Sequence, residues 1–148
     1  MSYYYRKAFL LDDDPIANFL LENTLEEHSI ARQILPFTSF GQLLQAFTSL
    51  IHTPGNESDL PDLLLLDLNM PGRDGLEVLE ALLQIPGVEG SRVCIFLMSA
   101  SDNNRLREKL REYPVSGFLV KPIKESDLPQ LIRSARKDEC ELKEVSPK

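Results

Sequence analysis

The chain has 148 residues, 43% of them hydrophobic, which is room for one domain with a sizeable core and not for a second folded module. Its formal charge of −7 argues against direct DNA binding, because affinity for a phosphate backbone rests on clustered Lys and Arg. Cys94 and Cys140 show neither CxxC spacing nor a surrounding His cluster, the N-terminus lacks a signal-peptide layout, and no apolar run approaches the ~20 residues of a membrane span, so the expectation is a cytoplasmic protein with no zinc site, disulfide scaffold or membrane partner.

Apolar runs alternate with stretches at helical spacing, the pattern of a parallel sheet covered on both faces. A first strand over Lys7–Leu11 ends in Asp12, Asp13, Asp14 and Pro15. Proline suits a first helical turn, and the helix that follows to about Glu27 is expected to turn Ile16, Phe19 and Leu20 to the core. A second strand over Ile30–Phe37 leads to Ser39, a candidate N-cap for a helix with Phe40, Leu43, Leu44 and Phe47 at i, i+3, i+4 and i+7. The turn-rich His52–Pro61 (HTPGNESDLP) reads as an exposed connection. Leu63–Leu68 is the most apolar strand and belongs at the sheet centre. Asn69–Gly75 (NMPGRDG) is a tight loop, Leu76, Leu79, Leu82 and Leu83 mark a third helix, and Val93–Met98 is the fourth strand. Asp102–Tyr113 is a charged helix anchored by Leu106 and Leu110 alone, so it is expected to be the least firmly packed. Val115–Val120 is the fifth strand, Ser126 a candidate cap for the last helix, and Leu128, Ile132 and Ala135 its buried stripe. For the charged tail Asp138–Lys148 disorder is the expectation.

In an open parallel sheet, ligands bind outside the carboxyl ends of the strands. Here the first strand ends in Asp12 and Asp13, the third in Asp67, the fourth in Ser99 and the fifth in Lys121 followed by Pro122. Each residue alone is more often a helix cap, a turn residue or a solvated charge. Together they finish four strands at one edge. Three carboxylates so placed repel one another unless a cation compensates, and hard oxygen ligands suit Mg²⁺. Asp67, held at the end of an apolar strand, is the candidate nucleophile. Lys121 and the Ser99 hydroxyl are candidates to stabilise charge on a transferring phosphoryl group.

The segments FLLDDDP, LLLLDLNMPGRDG, CIFLMSAS and GFLVKPI resemble the successive signature segments of bacterial response-regulator receiver domains, from Lys7 to about Arg136. The resemblance implies a flavodoxin-like (βα)5 three-layer α/β fold with sheet order 2-1-3-4-5, and a receiver domain over residues 6–137 with no output domain after it. It makes Asp12 and Asp13 the acidic pair, Asp67 the phosphoacceptor, the Asn69 backbone carbonyl a further Mg²⁺ ligand, and Ser99 and Lys121 the Ser/Thr and lysine positions. It also implies a cis Lys121–Pro122 bond and an aromatic switch at Phe118. The three aspartates could also be aligned with Asp14 in the pair, although Leu11 as the last strand residue favours Asp12 and Asp13.

The function implied is a phosphorylatable, non-enzymatic switch in a two-component phosphorelay. Its phosphodonor would be a sensor histidine kinase or a His-phosphotransfer protein, and its output contact with a downstream protein target. A pseudo-receiver that binds without phosphorylation would ordinarily lack one of the acidic pair, the acceptor or the lysine, all of which are present. An aspartate-dependent phosphatase would need a second Asp as acid–base where Asn69 stands.

Overall fold

A computed structural model of the chain describes residues 2–52, 60–72, 74–85, 88 and 93–135. Five strands, β1 (Tyr5–Leu11), β2 (Ala31–Phe37), β3 (Leu63–Asp67), β4 (Cys94–Ser99) and β5 (Gly117–Val120), form one parallel sheet in the order β2-β1-β3-β4-β5. The helices are α1 (Pro15–Glu27), α2 (Phe40–His52), α3 (Gly75–Leu83), α4 (Asn104–Leu110) and α5, which covers residues 128–135 after a 3-10 turn at Glu125–Asp127. This is the flavodoxin-like arrangement that the sequence implies. No helix among the described residues is long and apolar enough to cross a membrane.

β3 occupies the centre because its four leucines have nothing polar to show either face. Leu63 and Leu65 join Ala8, Leu10, Phe96 and Leu131 under α1 and α5, whereas Leu64 and Leu66 join Phe9, Phe47, Leu79 and Leu97 under α2, α3 and α4. Burial of each leucine contributes roughly 1.5–3 kcal/mol. The register pairs Leu11 with both Phe37 and Leu66, Asp67 with Met98, and Ser99 with Val120. The first polar residue after each apolar run therefore arrives at one level of the sheet.

Local chemistry sets the helix starts. Asp14, Asp74 and Asn103 accept N–H bonds at the N-termini of α1, α3 and α4, and Ser39 Oγ accepts the Gln42 N–H at 3.2 Å at the start of α2, as its capping pattern predicts. At Gly75 a Cβ would sit 2.7 Å from Leu68 Cα, so only glycine lets α3 begin so close to the end of β3.

Several sequence expectations need correction. Ile16, Phe19 and Leu20 do not face the core; they are 67%, 60% and 59% exposed, and α1 buries Asn18, Leu21 and Leu25 instead. The phase is set by Asn18, whose amide is bound beneath the helix. Leu44 is exposed while Leu43 and Phe47 are buried. Ser126 lies inside the 3-10 turn and caps nothing; the Asp127 carboxylate accepts the Lys124 N–H there at 2.8 Å. In α5 the expected Leu128 and Ala135 are buried and Ile132 is partly buried against the core, with Leu131 fully buried beside them. The α4 helix is shorter than the Asp102–Tyr113 pattern, and of its two anchors Leu110 alone is fully buried. Of the His52–Pro61 connection, residues 53–59 lie outside the described residues, as does the tail from 136; Pro61 itself is buried.

Candidate functional site

β1, β3, β4 and β5 deliver Asp12, Asp67, Ser99 and Lys121 to the carboxyl edge of the sheet, all but Lys121 buried. Oxygen atoms of Asp12, Asp13 and Asp67 lie within 4.8 Å of one another, with Asp13 exposed and the other two buried. Asp14 is turned away from this group: its carboxylate accepts the Ile16 N–H at 2.9 Å as the cap of α1.

Lys121 Nζ donates to Asp12 Oδ2 at 2.6 Å and to Asp67 Oδ2 at 3.3 Å. The Lys121–Pro122 bond is cis. One ammonium thus bridges two of the three carboxylates. Burial pushes the Asp67 pKa above the usual carboxylate range and the Asp12 charge pushes it further, against the Asn69 N–H and the Lys121 charge, which pull it down. Burial by itself would lower the Lys121 pKa, but the hydrogen bond to Asp12 and the charges of Asp67 and Asp12 outweigh it, and the net direction is upward.

The two shifts make a stability prediction. With its pKa raised in the fold, Asp67 gives up its proton first in the unfolded chain, so stability falls as pH climbs from the ordinary carboxylate value through the raised one, and stays lower above it. The stability contributed by Lys121 is fully present below the ordinary lysine value and is lost only as pH rises through its raised pKa, so it does not vary in the acid range. In metal-free buffer Asp67→Asn is therefore expected to melt higher than wild type at neutral pH. The gap closes toward the acid end of the carboxylate range. Calorimetric melting curves across pH measure it; a lower melting temperature for Asp67→Asn at neutral pH contradicts it.

The loops around the carboxylates are tied together by atoms that strand-end reasoning did not single out. Asn69 donates its backbone N–H to Asp67 Oδ1 at 2.9 Å, and its side-chain Oδ1 accepts the Ala100 N–H at 2.6 Å, joining the loop after β3 to the loop after β4. Ser99 Oγ accepts the Ser101 N–H at 3.4 Å. Asn18, 3% exposed, donates from Nδ2 to the carbonyls of Asp12 and Phe37, both at 3.0 Å, and its Oδ1 has no hydrogen-bond partner among the described residues. Burying an unsatisfied amide oxygen costs on the order of 1–3 kcal/mol. At the other end of the sheet Asp62 accepts the N–H groups of Arg6 and Lys7, both at 2.8 Å. An Asn three residues after a helix-opening proline carries no functional pattern of its own, which is why Asn18 escapes a sequence reading.

Phe118 is buried, and its ring lies 4.5 Å below the Arg107 guanidinium of α4. On the opposite side of the pocket, a groove of about 440 Å³ runs between α1 and the residues after β5, lined by Ala17, Leu20, Leu21, Met98, Pro122 and Ile123 and opening on Asp12 and Lys121. The exposed Ile16 and Phe19 extend the apolar character of α1 beyond Leu20.

The chain is a doubly wound, five-stranded α/β domain with an acidic pocket at the carboxyl ends of its central strands. The chain belongs to the response regulator receiver domain family, whose model matches residues 8–133, and with it to the proteins of two-component signalling. Over 119 residues it is 33% identical to the cyclic di-GMP phosphodiesterase response regulator RpfG of Xanthomonas campestris, an alignment covering 80% of this chain and 29% of that protein. Over 129 residues it is 33% identical to an uncharacterized response regulatory protein of Vibrio cholerae, covering 82% of this chain and 41% of the other. The chain thus spans less than half the length of these curated relatives. A solved two-component response regulator from Cytophaga hutchinsonii shares the fold with a TM-score of 0.79 at 23% identity, over 90% of this chain and 98% of that one.

Proposed function

We propose that this receiver is a phosphorylation-driven switch in which Asp67 accepts a phosphoryl group in a Mg²⁺-dependent reaction, and that the signal leaves through protein–protein contact. The observation that carries the reading is the convergence of the Asp12, Asp13 and Asp67 oxygens within 4.8 Å of one another, with Asp12 and Asp67 sharing Lys121.

The residues fit the metal. Their donors are hard carboxylate oxygens, partly open to solvent through Asp13, which suits an ion that keeps several of its waters. Asp12, Asp13, Asp67 and the Asn69 carbonyl would hold it. Bound there, Mg²⁺ supplies a compact positive charge that offsets the carboxylates and draws in phosphoryl oxygens. The protein's own groups do the rest. Asn69 N–H and Lys121 each hold one oxygen of Asp67, which fixes the carboxylate plane. A carboxylate oxygen forms the new O–P bond as the bond from phosphorus to the donor breaks and the donor leaves with the electron pair. Lys121, shared between Asp12 and Asp67, is placed to follow the arriving negative charge, with the Ser99 hydroxyl as a second donor.

The donor proposed is a phosphohistidine on a sensor histidine kinase or a His-phosphotransfer protein. The exposed Ile16, Phe19 and Leu20 beside the pocket support it, since they give such a partner an apolar surface to cover. Incubating the protein with acetyl phosphate, with and without Mg²⁺, and weighing it intact tests the reading. One added phosphoryl group that depends on Mg²⁺ is expected; a mass unchanged under both conditions refutes it.

Ser99 and Phe118 carry the proposed switch. Arg107 stacks on Phe118 and lies on the short, sparsely anchored α4, so displacement of Ser99 toward a phosphoryl group alters the support under that helix. Hydrogen exchange with and without beryllofluoride should change across residues 102–121 in wild type and markedly less in Ser99→Ala. Changes confined to the Asp67 loop would show that another face carries the signal.

A further inference from the structure

We infer that Asn18 is a positioning residue for the acidic pair: its buried side-chain amide fixes the peptide plane between Asp12 and Asp13 and so aims the Asp13 carboxylate at the proposed metal. The inference rests on the reading of that pocket as a Mg²⁺ site.

The Asp12 carbonyl belongs to the same peptide plane as the Asp13 N–H. Rotating that plane swings Asp13, the exposed ligand with the least packing to restrain it. Asn18 Nδ2 bonds that carbonyl at 3.0 Å and the Phe37 carbonyl at 3.0 Å, while the Asp12 N–H bonds the same Phe37 carbonyl at 3.1 Å. One amide therefore closes a ring of three hydrogen bonds that locks the end of β1 to the end of β2. The remaining ties in this turn act on Asp14: its N–H bonds Asp12 Oδ1 at 3.0 Å and its carbonyl accepts the Asn18 N–H at 3.1 Å.

Stability alone does not account for an asparagine here. The residue is buried on the core face of α1, in line with Leu21 and Leu25, and its Oδ1 is unsatisfied among the described residues. A leucine would remove that amide oxygen but would leave the Asp12 carbonyl without its Asn18 donor. What the asparagine contributes and the leucine lacks is the pair of N–H donors on the Asp12 and Phe37 carbonyls.

The test compares Asn18→Leu and Asn18→Ala with Leu25→Ala, a core truncation on the same helix, by isothermal titration with Mg²⁺ alone and by thermal melting. Loss of an outer partner of a metal ligand weakens binding by about tenfold or more. The expected result is a Mg²⁺ dissociation constant raised by at least that factor in both Asn18 variants. Asn18→Leu should melt no lower than Leu25→Ala, and Leu25→Ala should melt below wild type with its Mg²⁺ affinity unchanged. An unchanged affinity in a folded Asn18 variant overturns the inference while leaving the Mg²⁺ reading intact, and a wild type that binds no Mg²⁺ overturns both. If neither Asn18 variant folds, NMR of the wild type decides. Protected Asn18 side-chain amide protons whose resonances shift as Mg²⁺ is added support the inference, and protons in free exchange with water overturn it.

Discussion

Asp67→Asn is expected to abolish phosphoryl transfer from acetyl phosphate altogether, while leaving the protein folded. The nucleophilic oxygens of the carboxylate are rigidly placed: Asp67 is 2% exposed, at the end of β3, with Oδ1 on the Asn69 N–H and Oδ2 on Lys121. An amide keeps the shape of the side chain and loses its charge and nucleophilicity. Asp14 is no substitute, because its carboxylate is committed to capping α1 and is turned away from the pocket. Intact mass after incubation with Mg²⁺ and the donor reads the outcome. A mutant labelled as fully as wild type would mean that the acceptor lies elsewhere.

The second large effect separates two neighbours in the acidic run. Asp13→Ala removes one of the three clustered carboxylates and is expected to weaken Mg²⁺ by about a hundredfold, at the upper end of the loss known for a ligand's outer partners, and with it most of the phosphorylation. Asp14→Ala removes a helix cap instead. It should leave Mg²⁺ affinity near wild type and cost about 1 kcal/mol of stability, a few degrees in melting temperature. Titration calorimetry and melting curves on the two variants show the crossed pattern. A stronger effect of Asp14 on metal binding would shift the acidic pair by one residue.

The strand ends were legible in the sequence because each apolar run stops abruptly at a polar residue. In a parallel sheet all such stops fall at one edge, so LLLLD, CIFLMS and GFLVK could be aligned without a structure. The phase of α1 was not legible. Ile16, Phe19 and Leu20 form an apolar stripe at helical spacing, and Asn18, Leu21 and Leu25 form a second one that is interrupted by a polar residue. Hydrophobicity selects the first; the hydrogen bonds of Asn18 to the Asp12 and Phe37 carbonyls select the second, and the bond to Phe37 joins residues nineteen apart in the chain. The Arg107–Phe118 stack and the Asn69–Ala100 bond escaped for the same reason, since each joins two loops or elements whose approach is fixed only by the sheet.

The register of β3 also divides the molecule lengthwise. Leu60 lies toward the amino end of β3, and Asp67 lies at its carboxyl end, about 13 Å from Leu63 at the rise of an extended strand. Asp62 fastens that far end by accepting the N–H groups of Arg6 and Lys7, independently of anything in the acidic pocket. The sheet thus has a working rim and a rim remote from the chemistry. A fluorophore, affinity handle or surface tether added just before Leu60, which Arg6 holds at the remote rim, is therefore expected to leave Mg²⁺ binding and phosphorylation of Asp67 unchanged.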